Sequence, residues 1–202
     1  MAWPVDRLAV AKTQSNRELE MQSLAGHLLI AIPDLHDVNF FRSVVMLFQH
    51  SDQGASGVVL NRPSDVTVAK VWEQVAKEPS QCEDFVNVGG PVDGPLIALH
   101  SSSALAESPV AEGVYLSMGR IHLNELVNQS DQQFKIYSGY SGWAPGQLES
   151  EIEQGGWLTM KAKAEHIFDS PEGLWRQVCS QVGNDILKPH LGKHFQGDPS
   201  LN

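Results

Sequence analysis

Cysteine is scarce in this chain. Only Cys82 and Cys179 occur among 202 residues, far apart and without CxxC spacing. That excludes a disulfide framework and a thiolate-rich zinc site, and it predicts two reduced thiols in a cytoplasmic protein. Long apolar runs are absent too. The longest, residues 28–33, is far too short to span a bilayer. The first twenty residues scatter Asp6, Arg7, Lys12, Arg17 and Glu18 and contain no apolar leader segment. Clustered basic residues are missing: 14 Lys and Arg face 24 Asp and Glu, a formal net charge of -10. Such a chain repels phosphate backbones and anionic bilayers, which argues against direct nucleic-acid binding and against membrane association. No repeat and no linker rich in Pro, Gly or Ser divides the chain. One domain of this length buries roughly 70% of its unfolded surface and needs no staple.

What is present is a series of short apolar segments. Residues 28–32, 43–48 and 57–60 read as buried strands, with Ser51-Asp52-Gln53-Gly54 as a hairpin loop. Val68, Val71, Trp72 and Val75 recur at helical spacing, with Asp65 or Thr67 as cap. Strands are expected over 85–88, 96–100, 114–117, 134–140 and 157–160. Helices are expected around 123–127, from Pro145 to about Gln154, and from a Ser170 cap with Pro171 at the first position to Gly183. Strands cluster without a regular βαβ rhythm, so the expected class is α+β. The expected divisions are an arm over 1–22, with Val5, Leu8 and Ala9 able to form one helical turn, a domain over 23–188 and a loose polar tail over 189–202.

Residues 139–149, Gly-Tyr-Ser-Gly-Trp-Ala-Pro-Gly-Gln-Leu-Glu, carry the strongest local logic. Gly139 and Gly142 permit positive φ or close backbone approach. Pro145 is preset for a first helical turn, and Glu149, Glu151 and Glu153 suit a helix N-terminus. Leu148 and Ile152 face inward. Tyr140 and Trp143 either pin the turn to the core or form an aromatic recognition surface with Gln147 as amide donor and acceptor. Asn61 and Arg62 precede Pro63 at a strand end, where they either read an anion or satisfy internal groups. Gly89-Gly90-Pro91 is neither GxGxxG nor a P-loop, so close backbone packing explains it better than phosphate binding. Asp34, His36 and Asp37 share one loop but lack a second ligand pair, so neither a metal nor a cofactor is expected. His27, His50 and His100 flank strands, yet no GxSxG elbow accompanies them, and no catalytic residue is assigned.

In order along the chain, several of these segments resemble the YqgE/AlgH family of bacterial proteins. They are residues 26–31, Phe40 with 42–45, His50, 54–57, Leu60-Asn61-Arg62-Pro63, Gly89-Gly90-Pro91-Val92, Leu99-His100 and 139–149. The resemblance covers about residues 24–185. It implies a single α+β domain of coiled and bifurcated, mostly antiparallel sheets with packed helices. It also implies a bacterial cytoplasmic protein without an established reaction or cofactor, and the AlgH name carries a link to transcriptional regulation. The chain departs from the family pattern at Asp37-Val38, Gln49 and Asp93-Gly94-Pro95-Leu96. The leading expectation is a non-enzymatic regulatory or interaction protein with a protein partner. The alternative is a small-molecule binder or enzyme of unknown reaction using Asn61, Arg62, His100 and the glycine turns.

Overall fold

The computed structural model describes residues 23–128 and 131–191. Ten strands occur in chain order: β1 His27–Ala31, β2 Val44–Ser51, β3 Gly54–Val59, β4 Pro63–Thr67, β5 Phe85–Val88, β6 Val92–His100, β7 Ser108–Ala111, β8 Val114–Ser117, β9 Phe134–Trp143 and β10 Trp157–Lys161. Among the described residues five α-helices accompany them: α1 Val68–Ala76, α2 Arg120–Asn128, α3 Gln147–Glu153, α4 Ala164–Phe168 and α5 Leu174–Leu191. The class is α+β, in a single domain.

The strand order is β10-β1-β2-β3-β9-β6-β8-β7, antiparallel throughout, with β4 and β5 off this path. Strand β9 organises the molecule. One of its edges pairs with β6 along most of its length. The other is divided: residues 141–143 pair with β3, while Tyr137 and Ser138 pair with β5 in parallel. Gly89 sits where the two partners part. Its carbonyl accepts from Val59 N–H at 2.8 Å and from Ser141 Oγ at 3.2 Å, and its N–H donates to Ser138 at 2.9 Å. A Cβ on Gly89 would collide with the Gly139 carbonyl oxygen, so only glycine lets three chains meet here.

The continuous apolar strands follow from burial on both faces. Leu28, Ile30, Val44, Met46 and Val58 join a core shared with Ile167, Leu174 and Val178 of α4 and α5. Their alternates Leu29, Ala31, Val45, Leu47 and Val59 pack with Trp143, Leu148 and Trp157. Beyond β9 the first core continues through Ile97, Leu99 and Tyr137, whereas Ala98 and Ile136 face a third cluster under α1 and α2. One layer therefore runs the length of the curled sheet, and two smaller layers cover its outer halves. Each fully buried Leu, Ile or Val contributes about 1.5–3 kcal/mol.

Most expected elements form, with instructive differences. Thr67 caps α1 by accepting from Lys70 N–H. Helix α3 starts at Gln147, two residues after Pro145, because Gly146 adopts φ 74° as its N-cap. The last helix begins at Leu174 rather than at Pro171, after Gly173 at φ 76°, and it passes Gly183 to reach Leu191. A glycine inside a helix costs about 1 kcal/mol, which packing of the preceding turns offsets. Strands β4 and β7, each containing a proline, were not expected; both are short, as suits strands at a sheet margin. The helical turn expected around Val5 and Leu8, and residues 192–202 of the expected tail, lie outside the described residues.

Candidate functional site

Asn61 and Arg62 hold a loop. Asn61 Oδ1 accepts from Val44 N–H at 2.9 Å and its Nδ2 donates to the Arg42 carbonyl at 2.9 Å. The Arg62 guanidinium donates to the Phe41 carbonyl at 2.6 Å. Both side chains thus satisfy backbone groups at the entry to β2, from Phe41 to Val44. There Arg42 takes φ 52° and lies over the Phe41 and Trp175 rings.

His100 is fully buried at the end of β6. Its Nε2 lies 3.0 Å from Ser117 Oγ, which donates to the Leu105 carbonyl. A hydroxyl has one hydrogen, so Ser117 accepts from His100 Nε2–H, the reverse of what a general base requires. Nδ1 has no hydrogen-bond partner, and burial lowers the His100 pKa against a smaller opposing contribution from the Ser102 backbone. The pair is structural, and neither His100 nor Arg62 lines the cavities of about 660, 310 and 460 Å³ described below.

Gly90, at φ 156°, presses on the Tyr140 backbone, and the Tyr140 ring is half-buried against Gly94 and Gly142. Tyr140 therefore packs toward the main core while Trp143, three residues on, packs with the cluster on the sheet's other face.

Trp143 and Gln147 do come together. Trp143 is 5% exposed and stacks on Phe40 at 5.7 Å between ring centroids, with Trp157 edge-on to both. Glu151 Oε2 accepts from both indole N–H groups at 2.9 Å each, and its Oε1 accepts from Gln147 Nε2 at 2.9 Å. Gln147 Oε1 in turn accepts from Ala144 N–H at 3.0 Å. These residues line a cavity of about 460 Å³ together with Asp34 and Asp37. Asp37 Oδ1 accepts from Asn39 and Phe40 N–H, which fixes the loop that carries Phe40. The lining has three carboxylates and no basic side chain. Among the described residues, no group of three or more His, Cys, Asp or Glu is placed to hold a metal ion.

His50, 7% exposed, joins Glu149 at 2.6 Å through Nε2 and accepts Leu24 N–H at 2.8 Å through Nδ1. Burial works to raise the Glu149 pKa, but hydrogen bonds from its own backbone N–H and from His50 outweigh it and hold the carboxyl below its ordinary value. Sequence reasoning missed Phe40, Trp157 and the role of Glu151. The available signal was the i, i+4 spacing of Gln147 and Glu151 on one helix face. Trp157, six residues beyond Glu151, reaches it from the start of β10, across a turn whose shape no residue spacing announces.

A family model described as AlgH-like matches residues 28–187. The chain is 36% identical over 200 residues to a UPF0301 protein of Streptomyces avermitilis, covering 91% of this chain and 97% of the relative. It is 37% identical over 195 residues to a UPF0301 protein of Streptomyces coelicolor, with the same coverages. The solution structure of the AlgH protein from Pseudomonas aeruginosa superposes with TM-score 0.67 at 30% identity, covering 88% of this chain and 96% of that one. A crystal structure of a Corynebacterium diphtheriae protein shares the fold at TM-score 0.66 and 23% identity, covering 82% and 91%.

Proposed function

The chain belongs to the AlgH-like family, and we propose that it is a non-enzymatic regulatory or interaction module that grips a basic side chain of a partner protein in the Trp143 cavity. One observation carries this reading: the cavity joins aromatic walls to Asp34, Asp37 and Glu151 and offers no cation of its own. Carboxylates beside aromatic rings attract an ammonium or guanidinium group through charge and through the ring quadrupole, worth about 0.5–2 kcal/mol for the latter. The net charge of -10 steers basic partners in the same direction and opposes direct nucleic-acid binding. The divided edge of β9 supports reading the sheet as the coiled, bifurcated type expected of the family. A cytoplasmic location accords with the two free cysteines; among the described residues no helix is long and apolar enough to cross a membrane.

The rival reading, a small-molecule binder or enzyme at Asn61, Arg62 and His100, needs those groups to face one space. Arg62 is engaged by the Phe41 carbonyl and His100 by Ser117, so no specific observation favours it.

The test is a pull-down from lysate comparing wild type with Asp34→Lys, an exposed position where charge reversal leaves the core intact. Loss of a partner that salt also removes is the expected outcome. Identical partner sets, with both proteins folded by circular dichroism, would overturn the reading. Trp143→Ala is a poor probe, because it empties a buried ring position and disturbs the fold.

A further inference from the structure

At the opposite end of β9 lies a second cavity, of about 310 Å³, at the lower end of the range typical of small-molecule sites. Its walls are mainly apolar and include Phe85, Phe134 and Phe168; its polar groups are Lys135, Asp84 and Asn87. It continues through the shared residues Asp84, Phe134 and Phe168 into a wider cleft of about 660 Å³. Pro63 of β4, Val68 of α1, the loop before β5, β5 itself, the start of β9 and the end of α4 with Pro171 beyond it all contribute.

Lys135 is the feature that a purely structural account leaves over. It is half-buried on β9, where its Nζ donates to the Asp169 main-chain carbonyl at 2.6 Å. An ammonium has three hydrogens, and this contact uses one of them on a neutral acceptor. Burial lowers the Lys135 pKa, and the nearby Asp169 and Asp84 carboxylates only partly oppose that. An anion arriving beside Nζ would restore the lost solvation. Asn87 is 5% exposed and its Nδ2 donates only a long bond, 3.4 Å, to the Ile136 carbonyl. Asp84, by contrast, stands exposed at the junction of the two cavities. The site therefore holds one cation, one amide and one carboxylate around an apolar interior.

We infer that this cavity binds a zwitterionic α-amino acid with an apolar side chain. Lys135 and Asn87 take its carboxylate, Asp84 takes its ammonium, and the three phenylalanines enclose its side chain. A ligand bearing only a carboxylate would leave Asp84 unanswered and meet its repulsion. One bearing only an ammonium would leave Lys135 unanswered, and unpaired groups in a site built for both are what give discrimination.

Titration calorimetry of the full chain with L-phenylalanine, 3-phenylpropionate and L-phenylalaninamide tests this. The expected result is saturable one-to-one binding of L-phenylalanine and at least about tenfold weaker binding of both analogues, a gap of about 1.4 kcal/mol. Lys135→Gln should abolish binding and Lys135→Arg should retain part of it, which a merely structural lysine would not do. Absence of saturable binding by L-phenylalanine, L-leucine and L-methionine would overturn the inference. So would equal affinity for either analogue, a comparison that needs no variant. The ligand does not touch the Trp143 cavity, so partner capture and amino-acid binding can fail independently.

Discussion

Two of the three histidines buried among the described residues, His50 and His100, show how differently the two halves of the sheet satisfy their polar groups. Around α3 three buried side-chain N–H groups meet carboxylates: His50 meets Glu149, and Trp143 and Trp157 share Glu151. Around β6 and β8 the partners are neutral, Ser117 for His100 and the Leu105 carbonyl for Ser117. That half also leaves His100 Nδ1 without a partner. Charge-assisted hydrogen bonds are roughly twice as strong as neutral ones, and they make the α3 half sensitive to loss of its anions. The β6 half is instead sensitive to arrival of a proton, because His100 has no anion in hydrogen-bond contact to receive it.

The largest break in this comparison should come from Glu151→Leu. It leaves two buried indole N–H groups unpaired at about 1–3 kcal/mol each, so unfolding in urea should show a loss of about 3 kcal/mol, with an altered tryptophan emission. Ser117→Ala should cost less, about 1–3 kcal/mol, since it strips both His100 Nε2–H and the Leu105 carbonyl of their partner. If the two variants were equally destabilised, the distinction between carboxylate and neutral partners would be lost.

pH separates the halves further. His100 is lowered in the folded state from its ordinary 6.5, so below pH 6.5 the unfolded chain binds a proton that the folded chain refuses. Stability should fall as pH drops through 6.5 toward the folded value, and His100→Gln should flatten that slope in a series of thermal melts. Glu149 is lowered from 4.5, so its contribution is fully present above 4.5 and disappears as pH falls below it. Glu149→Gln should remove only this acidic limb, with a modest loss of about 1 kcal/mol at neutral pH for a carboxylate nearly one-third exposed. The smallest expected effect is at Glu107. It accepts from Met118 N–H, Gly119 N–H and His122 at the start of α2, and these bonds outweigh burial and lower its pKa. Glu107→Gln should trim stability by about 0.5–1 kcal/mol, read from urea midpoints.

Legibility in the sequence tracked how local each interaction is. The runs at Leu28, Val44 and Val58 announced buried strands because both sheet faces are covered, and Thr67 and Gly155 announced helix ends through their own backbone chemistry. Strand β4 stayed hidden because Pro63, Ser64 and Asp65 carry no apolar alternation; its pairing with β5 comes from main-chain groups. At the site, Trp143 and Gln147 stood out as neighbours on one turn. Phe40 did not, since it reaches the cavity from a segment distant in the chain, and Trp157 did not, since only the turn between α3 and β10 brings it back onto Glu151. Lys135 was invisible for the same reason: on β9 it reads as an outward polar residue, and only Phe168 and the Asp169 carbonyl make it half-buried.

The sequence by itself determined the class of fold, the family, and the glycine, proline and capping chemistry of the turn over 139–149, because those depend on conformational preferences carried by each residue. The tertiary structure alone decided what the polar residues do. It assigned Arg62 to the Phe41 carbonyl, His100 to Ser117 and Glu151 to two indoles. A side chain's type lists what it can donate or accept, whereas its partner is set by which strand and helix the fold brings within 3 Å or so.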